Sequence, residues 1–225
     1  MDQDRLRFIA AVDRLEKRFA VDPAPLADAN QDATLRAWLD GDDDSLPWAG
    51  CGVTADEWFF ITTLYGEMTL DGQRSHIRTF FPRFVQEARR DIRAMTPELV
   101  DDWKLRSGWM KKRLCRMGAI LREGGWTMQE YVDHLRTLEG KATPANPMPA
   151  LDAIVHDHRA SGWKTLSVFV RDCVGGNCFP IDSRVAKELE RDDLPIDERR
   201  LVSLALERGR NPRQIARMFY AAGGD

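Results

Sequence analysis

The chain has 225 residues, 43% of them hydrophobic, and 33 Lys and Arg against 36 Asp and Glu give a formal net charge of −3. This length and apolar content suit one domain or two small lobes sharing a core. No apolar run approaches the roughly 20 residues of a membrane-spanning helix, and the charge excludes a uniformly basic surface.

In chain order, residues 3–19 read as a helix that turns Leu6, Ile9, Ala10, Val12, Leu15 and Phe19 toward a core. The start of the chain is amphipathic and carries acids, unlike a secretory signal or a transit peptide, so a cytoplasmic protein is expected. Asp22-Pro23-Ala24-Pro25 breaks the helix, a second is expected over 25–39, and the acidic run 40–44 reads as a solvated loop. Thr54 and Glu57 form a capping box for a buried helix that runs to Tyr65. A loop follows from Gly66 to Gly72.

The next helix is expected over 73–93, with Ile77, Phe80, Phe81, Phe84 and Val85 as its apolar stripe. Pro82 inside that stripe is expected to kink or split it. Thr96-Pro97-Glu98 opens a short helix ending near Lys104. A further helix runs from Trp109 to about Glu123, with Met110, Leu114, Met117 and Leu121 on one narrow stripe and Lys112 and Arg116 pointing the other way. From Lys104 to Arg122 there are seven Lys or Arg (Lys104, Arg106, Lys111, Lys112, Arg113, Arg116, Arg122) and no acid. Such a local basic face suits a phosphate backbone whatever the total charge; the alternative is an ordinary solvated face.

Gly124-Gly125 ends that helix, and Thr127 with Glu130 caps another over 128–138. Residues 141–149 read as a loop and 150–158 as a helix. Beyond Asp182, helices are expected to about Arg191, over 196–208 and over 212–222, the last capped by Asn211 with Pro212 at its first position. No stretch reads as a strand, so the fold class is all-α. The expected organisation is N-terminal helices over 1–50, a core helical lobe over 51–150, and a C-terminal part over 151–225.

The chemistry concentrates between His158 and Val185. Ser161, Gly162 and Trp163 make a short break, and Lys164 opens the helix after it. Leu166, Phe169, Val170 and Val174 continue that helix, Gly175-Gly176-Asn177 stops it, and Pro180-Ile181-Asp182 leads into the next, with Asp182 as N-cap. A helix of about twelve residues rises roughly 18 Å, and an extended return of seven residues spans roughly 23 Å, so the chain can come back to where it started. Lys164 and Asp182, 18 positions apart, can therefore meet at the N-terminal ends of two neighbouring helices. An amine at a helix N-terminus is favoured in its neutral, nucleophilic form, and a carboxylate beside it can guide its proton or steady a developing cation.

Gly162-Trp163-Lys164-Thr165, the apolar helix, and Pro180-Ile181-Asp182-Ser183-Arg184-Val185 together resemble the active-site pattern of the helix-hairpin-helix DNA glycosylases. The spacing is like that of endonuclease III, and the Lys-Thr and Pro-Ile-Asp-Ser-Arg segments look like the archaeal 8-oxoguanine glycosylase branch. The resemblance is strongest over 150–190 and weaker, in the right order, over 54–150. It implies a two-lobed all-helical fold with the active site between the lobes. Lys164 would be the nucleophile and Asp182 the essential carboxylate of a bifunctional glycosylase and abasic-site lyase acting in base excision repair.

The resemblance further implies DNA contacts from Ser161, Gly162, Thr165, Arg184, Arg106, Lys112 and Arg116. Glu67, Met68 and Thr69 would lie near the strand gap, and Trp109 and Trp163 could stack on an extruded base; a plain loop and core aromatics are the alternatives. The family hairpin usually reads Leu-Pro-Gly-Val-Gly. Here those places hold His158, Arg159, Ala160, Ser161 and Gly162, which keeps one of the two glycines. A monovalent cation often sits at that hairpin in the family; no other cofactor is expected.

The four cysteines, Cys51, Cys115, Cys173 and Cys178, include no Cys-x-x-Cys pair and read as free thiols. They leave no place for the C-terminal iron–sulfur cluster of some relatives, and no metal is expected. The expected partner is double-stranded DNA carrying a damaged base, an oxidised purine such as 8-oxoguanine first, handled by a nucleoid-associated monomer with no membrane contact. Another modified base, including one in foreign DNA, a non-catalytic DNA-binding module and a helical interaction protein stay open as alternatives.

Overall fold

The computed structural model describes residues 2–22, 53–65, 70–105, 107–158 and 164–223, with residues 70, 71 and 74 described by their backbone alone. The described residues form helices, turns and one isolated bridge between Thr143 and Asn146. In chain order the helices are α1 (Gln3–Val21), α2 (Ala55–Leu64), α3 (Leu70–Glu87), α4 (Pro97–Asp101), α5 (Gly108–Gly124), α6 (Met128–Glu139), α7 (Pro149–His158), α8 (Lys164–Phe169), α9 (Ser183–Arg191), α10 (Glu198–Glu207) and α11 (Pro212–Ala222). A 3₁₀ turn (Ile92–Ala94) precedes α4, and α8 continues into a π-helical turn (Val170–Val174). The helix expected over 25–39, the acidic loop and Cys51 lie outside the described residues. No described helix is long and apolar enough to cross a membrane.

The central element is α2. Trp58, Phe59, Phe60, Ile61, Thr62, Thr63 and Leu64 are all buried, so this helix is apolar all round, as an interior helix must be. α3, α5, α6 and α8 pack around it. Phe60 stacks on Phe84 of α3 with ring centroids 4.3 Å apart, and Phe59 meets Phe169 of α8 edge-on at 5.1 Å. Its start is the expected capping box: Thr54 Oγ1 accepts from the Glu57 amide at 3.2 Å, and Glu57 Oε2 accepts from the Thr54 amide at 2.9 Å. α4 packs on α5, and α7 on α5, α6 and α8; α1, α9, α10 and α11 form a second group, in which α11 packs on the other three. One continuous apolar core runs through both groups.

Three expectations are corrected. α1 buries Phe8, Ala11, Val12, Leu15 and Phe19, while Leu6 is 50% exposed and Ala10 faces solvent. At about 100° per residue Leu6 lies roughly 160° from Phe8, so the two cannot share a face. The larger ring takes the interior, where α1 meets α10 and α11. α3 is not split at Pro82, which lies on the exposed face. The carbonyl of Arg78, which loses its donor there, lies on the same side of the helix, so the lost bond is replaceable by water.

α3 also ends at Glu87 rather than near Arg93. Arg89 and Arg90 adopt left-handed conformations (φ 54° and 59°), although neither is glycine. The Arg90 guanidinium reaches the buried Glu57 carboxylate at 3.2 Å, a tertiary ion pair that supports this turn.

Candidate active site

Lys164 is the first residue of α8 and is exposed. Among the described residues its side chain makes no hydrogen bond or ion pair. The next residue, Thr165, accepts a hydrogen bond from Nη1 of Arg113 on α5. Arg113 is buried, its guanidinium 4.9 Å from the Trp109 ring centroid, and burial pushes its pKa down to about 10. α5 thus buttresses the N-terminal turn of α8 from below.

Asp182 is the N-cap of α9, as expected. Its Oδ1 accepts from the amides of Arg184 and Val185 at 3.0 and 2.9 Å, two of the donors that a helix N-terminus leaves orphaned. Its Oδ2 makes no hydrogen bond among the described residues. The carboxylate is therefore oriented by one oxygen and presents the other. Arg184 lies over the Tyr220 ring at 5.1 Å. Burial raises the Tyr220 phenol pKa, the Arg184 guanidinium opposes the rise, and Asp182 adds to it.

Two carboxylates, the half-buried Glu139 and the buried Glu198, hold the return that joins these elements. Glu139 of α6 accepts from the Asn177 amide at 2.6 Å and the Ala150 amide at 3.2 Å. Glu198 of α10 accepts from the Phe179 amide at 2.7 Å and from the Ser167 hydroxyl. Burial raises the pKa of both acids, while the bonds they accept oppose the rise. Arg136 of α6 closes the π turn from the other side, donating to the carbonyls of Val174 at 3.2 Å and Cys173 at 2.9 Å.

The π turn widens the helix where its charged pair sits. Arg171 and Asp172 form a two-pronged ion pair, with contacts of 2.6 and 2.7 Å, and Nη2 of Arg217 lies 3.6 Å from the same carboxylate. The Asp172 side chain is 3% exposed. The Tyr65 phenol at the end of α2 is pushed well up by burial, and Asp172 adds to the rise. No expectation above covers this cluster; the charged Arg-Asp step inside the apolar run 166–174 is its signal in the sequence. Such π turns recur at functional sites.

The basic run is more engaged than its sequence suggests. Lys111 pairs with Asp101, Arg113 bonds Thr165, Arg116 donates to the Asp157 carbonyl at 2.9 Å, and Arg122 donates to the carbonyls of Arg93 and Met95. Lys104 and Lys112 remain exposed without an ion pair among the described residues. Trp109 is 38% exposed. Arg106, Ser161, Gly162, Trp163, Glu67, Met68 and Thr69 lie outside the described residues, as do the hairpin positions after His158.

His158 ends α7 with its ring stacked 5.8 Å from Phe59. Burial, with the charges of Arg113 and Arg116, pushes its pKa down to about 3. Its Nε2 is buried without a hydrogen-bond partner among the described residues. Cys178 is buried, and Cys115 and Cys173 are partly so; all three are free thiols. Among the described residues no group of three His, Cys, Asp or Glu side chains is arranged to hold a metal ion.

Comparison with family models, with curated proteins and with solved structures finds no match for this chain.

Proposed function

We propose that the protein is a bifunctional DNA glycosylase and abasic-site lyase of the helix-hairpin-helix type, with Lys164 as nucleophile and Asp182 as the essential carboxylate. The observation that carries this reading is the pairing of functional groups with helix starts. Among the described residues, an exposed lysine without an ion-pair partner opens α8, and a capping aspartate with one oxygen left over opens α9. A double-carboxylate clamp holds the return between them. The grouping of α2, α3, α5, α6 and α8 apart from α1, α9, α10 and α11 is compatible with two lobes and a site between them.

In this reading the target nucleotide leaves the stack so that its sugar can be reached. The Lys164 amine bonds to C1′ as the base departs with the electron pair of the glycosidic bond. Asp182 Oδ2 stabilises the positive charge that develops on the sugar. Loss of the amine proton and opening of the ring at O4′ give a Schiff base. Removal of a C2′ proton then expels the 3′ phosphate and breaks the strand. An oxidised purine such as 8-oxoguanine is the first substrate class, and another modified base the second.

The engagement of four basic side chains within the protein favours a second reading, a helical protein whose cations are structural. Borohydride trapping separates the two. Labelled duplexes carrying 8-oxoguanine, thymine glycol, uracil or an abasic site are incubated with wild-type, Lys164→Gln and Asp182→Asn proteins. A covalent adduct that needs Lys164 is expected, and the duplex that yields it identifies the base. Duplex binding with no adduct on any substrate supports a non-catalytic module, and no binding supports the structural reading.

A further inference from the structure

We infer that Glu198 is a positioning residue that fixes Lys164 and Asp182 relative to each other, an inference that rests on the glycosylase and lyase reading. A single atom carries it. Glu198 Oε1 accepts from the hydroxyl of Ser167 and from the amide of Phe179, the latter at 2.7 Å. Ser167 is the third residue after Lys164, and Phe179 is the third before Asp182. One carboxylate oxygen therefore ties the helix that carries the amine to the return that carries the acid.

The tie is short on both arms. α8 keeps Lys164 within about one helical turn of Ser167, and three residues of return reach at most roughly 10 Å. All three groups are interior: Ser167 and Phe179 are fully buried, and Glu198 is 5% exposed. A buried carboxylate is costly to keep for packing alone, since apolar side chains fill such space at least as well. Accepting two donors from two different segments is a task that apolar packing cannot perform. Glu139 makes the corresponding contact two residues earlier, at Asn177, and its other bond is to the Ala150 amide of α7, so among the described residues it does not reach the helix of Lys164. Of the two acids, Glu198 alone links both halves of the pair.

The test uses Glu198→Ala, Glu198→Gln and Ser167→Ala in the full chain, with borohydride trapping on an abasic-site duplex under single turnover. Duplex affinity and melting temperature are measured alongside. Displacing reacting groups by about an ångström costs on the order of 100-fold in rate. Glu198→Ala is expected to slow trapping by roughly that factor with duplex affinity unchanged. Ser167→Ala, which releases only the arm of the amine and leaves a small, foldable change, is expected to slow it less. Glu198→Gln keeps a carbonyl acceptor and is expected to recover part of the rate. Wild-type trapping rates in both folded alanine variants overturn the inference, as does a loss of rate that merely follows loss of affinity and stability. A wild-type protein that forms no adduct overturns the glycosylase reading itself, and this inference with it.

Discussion

Nε of Arg116 donates to the main-chain carbonyl of Asp157 at 2.9 Å, tying the middle of α5 to the last turn of α7. The carboxylate of the same aspartate accepts from the Tyr131 hydroxyl at 2.8 Å, so α5, α6 and α7 meet at one residue. A cation at a helix C-terminus also complements the helix dipole. Arg116→Ala is therefore expected to lower stability by about 1–2 kcal/mol, the scale of a charged hydrogen bond to a half-buried carbonyl. Denaturant titration measures it. A loss of duplex affinity with unchanged stability would place Arg116 at the phosphate backbone instead.

Lys112 is the contrasting case, exposed on the same helix with no ion pair among the described residues. Under the proposed function it contacts a phosphate through charge alone. Lys112→Ala is expected to leave stability within about 0.5 kcal/mol. It should weaken duplex binding on every sequence and reduce the slope of log affinity against log salt by about 1. A salt titration of both proteins on one unmodified duplex measures that slope, and equal slopes would remove Lys112 from the interface.

His158 makes folding sensitive to mild acid. Its folded pKa is about 3, depressed by burial and by Arg113 and Arg116, whereas the unfolded chain takes up the proton near 6.5. A neutral histidine in the fold costs nothing above about pH 6.5. Below that value the unfolded state binds one more proton than the folded one, and stability falls by about 1.4 kcal/mol per pH unit down to about pH 3. Near pH 5 the loss from this residue is roughly 2 kcal/mol. His158→Phe retains an aromatic ring against Phe59, removes the unpaired Nε2, and is expected to flatten this part of the stability profile. Chemical denaturation at pH 7, 6 and 5 measures the difference, and parallel profiles would show that His158 titrates normally.

Local signals were legible because they act over three or four residues. The capping boxes at Thr54 and Thr127, the Asn211-Pro212 start of α11 and the Asp182 cap all form as their residue types require. What the sequence hid depends on partners far along the chain. Phe8 outcompetes Leu6 for the interior because α10 and α11 lie on its side. α3 ends early at two arginines, one of them engaged with Glu57, and no glycine announces the turn. Arg113 sits in a basic run yet is buried, because Thr165, 52 positions on, accepts from it. Glu198 carries no motif at all; it is an acid in the first turn of α10, and only the fold shows that its carboxylate points inward.

Gly176 closes the π turn, its amide donating to the Val170 carbonyl at 2.9 Å. A Cβ there would lie 2.5 Å from Val170 Cγ1 and 3.4 Å from Glu139 Cδ. The valine is buried and cannot swing away freely, and the glutamate is held by Asn177 and Ala150. Gly176→Ala is expected to destabilise the fold by about 1–3 kcal/mol through overpacking. Because the strain falls on the return between Lys164 and Asp182, trapping should slow by more than the fraction unfolded explains. Denaturation and single-turnover trapping on the same preparation test this, and a neutral effect on both would mean that the turn repacks readily.

Asp182 has a structural task and a proposed chemical one, and two substitutions separate them. Oδ1 alone accepts the two amide bonds at the start of α9. Asparagine keeps an oxygen there and ranks with aspartate as an N-cap, so Asp182→Asn is expected to change stability by no more than about 0.5 kcal/mol. It removes the negative charge and turns the free oxygen into an amide donor, which opposes a developing sugar cation; trapping should fall roughly 100-fold or more. Alanine loses both tasks, and Asp182→Ala is expected to cost about 1 kcal/mol of stability in addition to the activity. Thermal melts with trapping rates for the three proteins resolve the two roles. If the asparagine variant melts like the alanine one, the cap depends on the charge rather than on the acceptor. If it traps like wild type, the carboxylate is a cap only, and the charge that steadies the sugar must come from another acid.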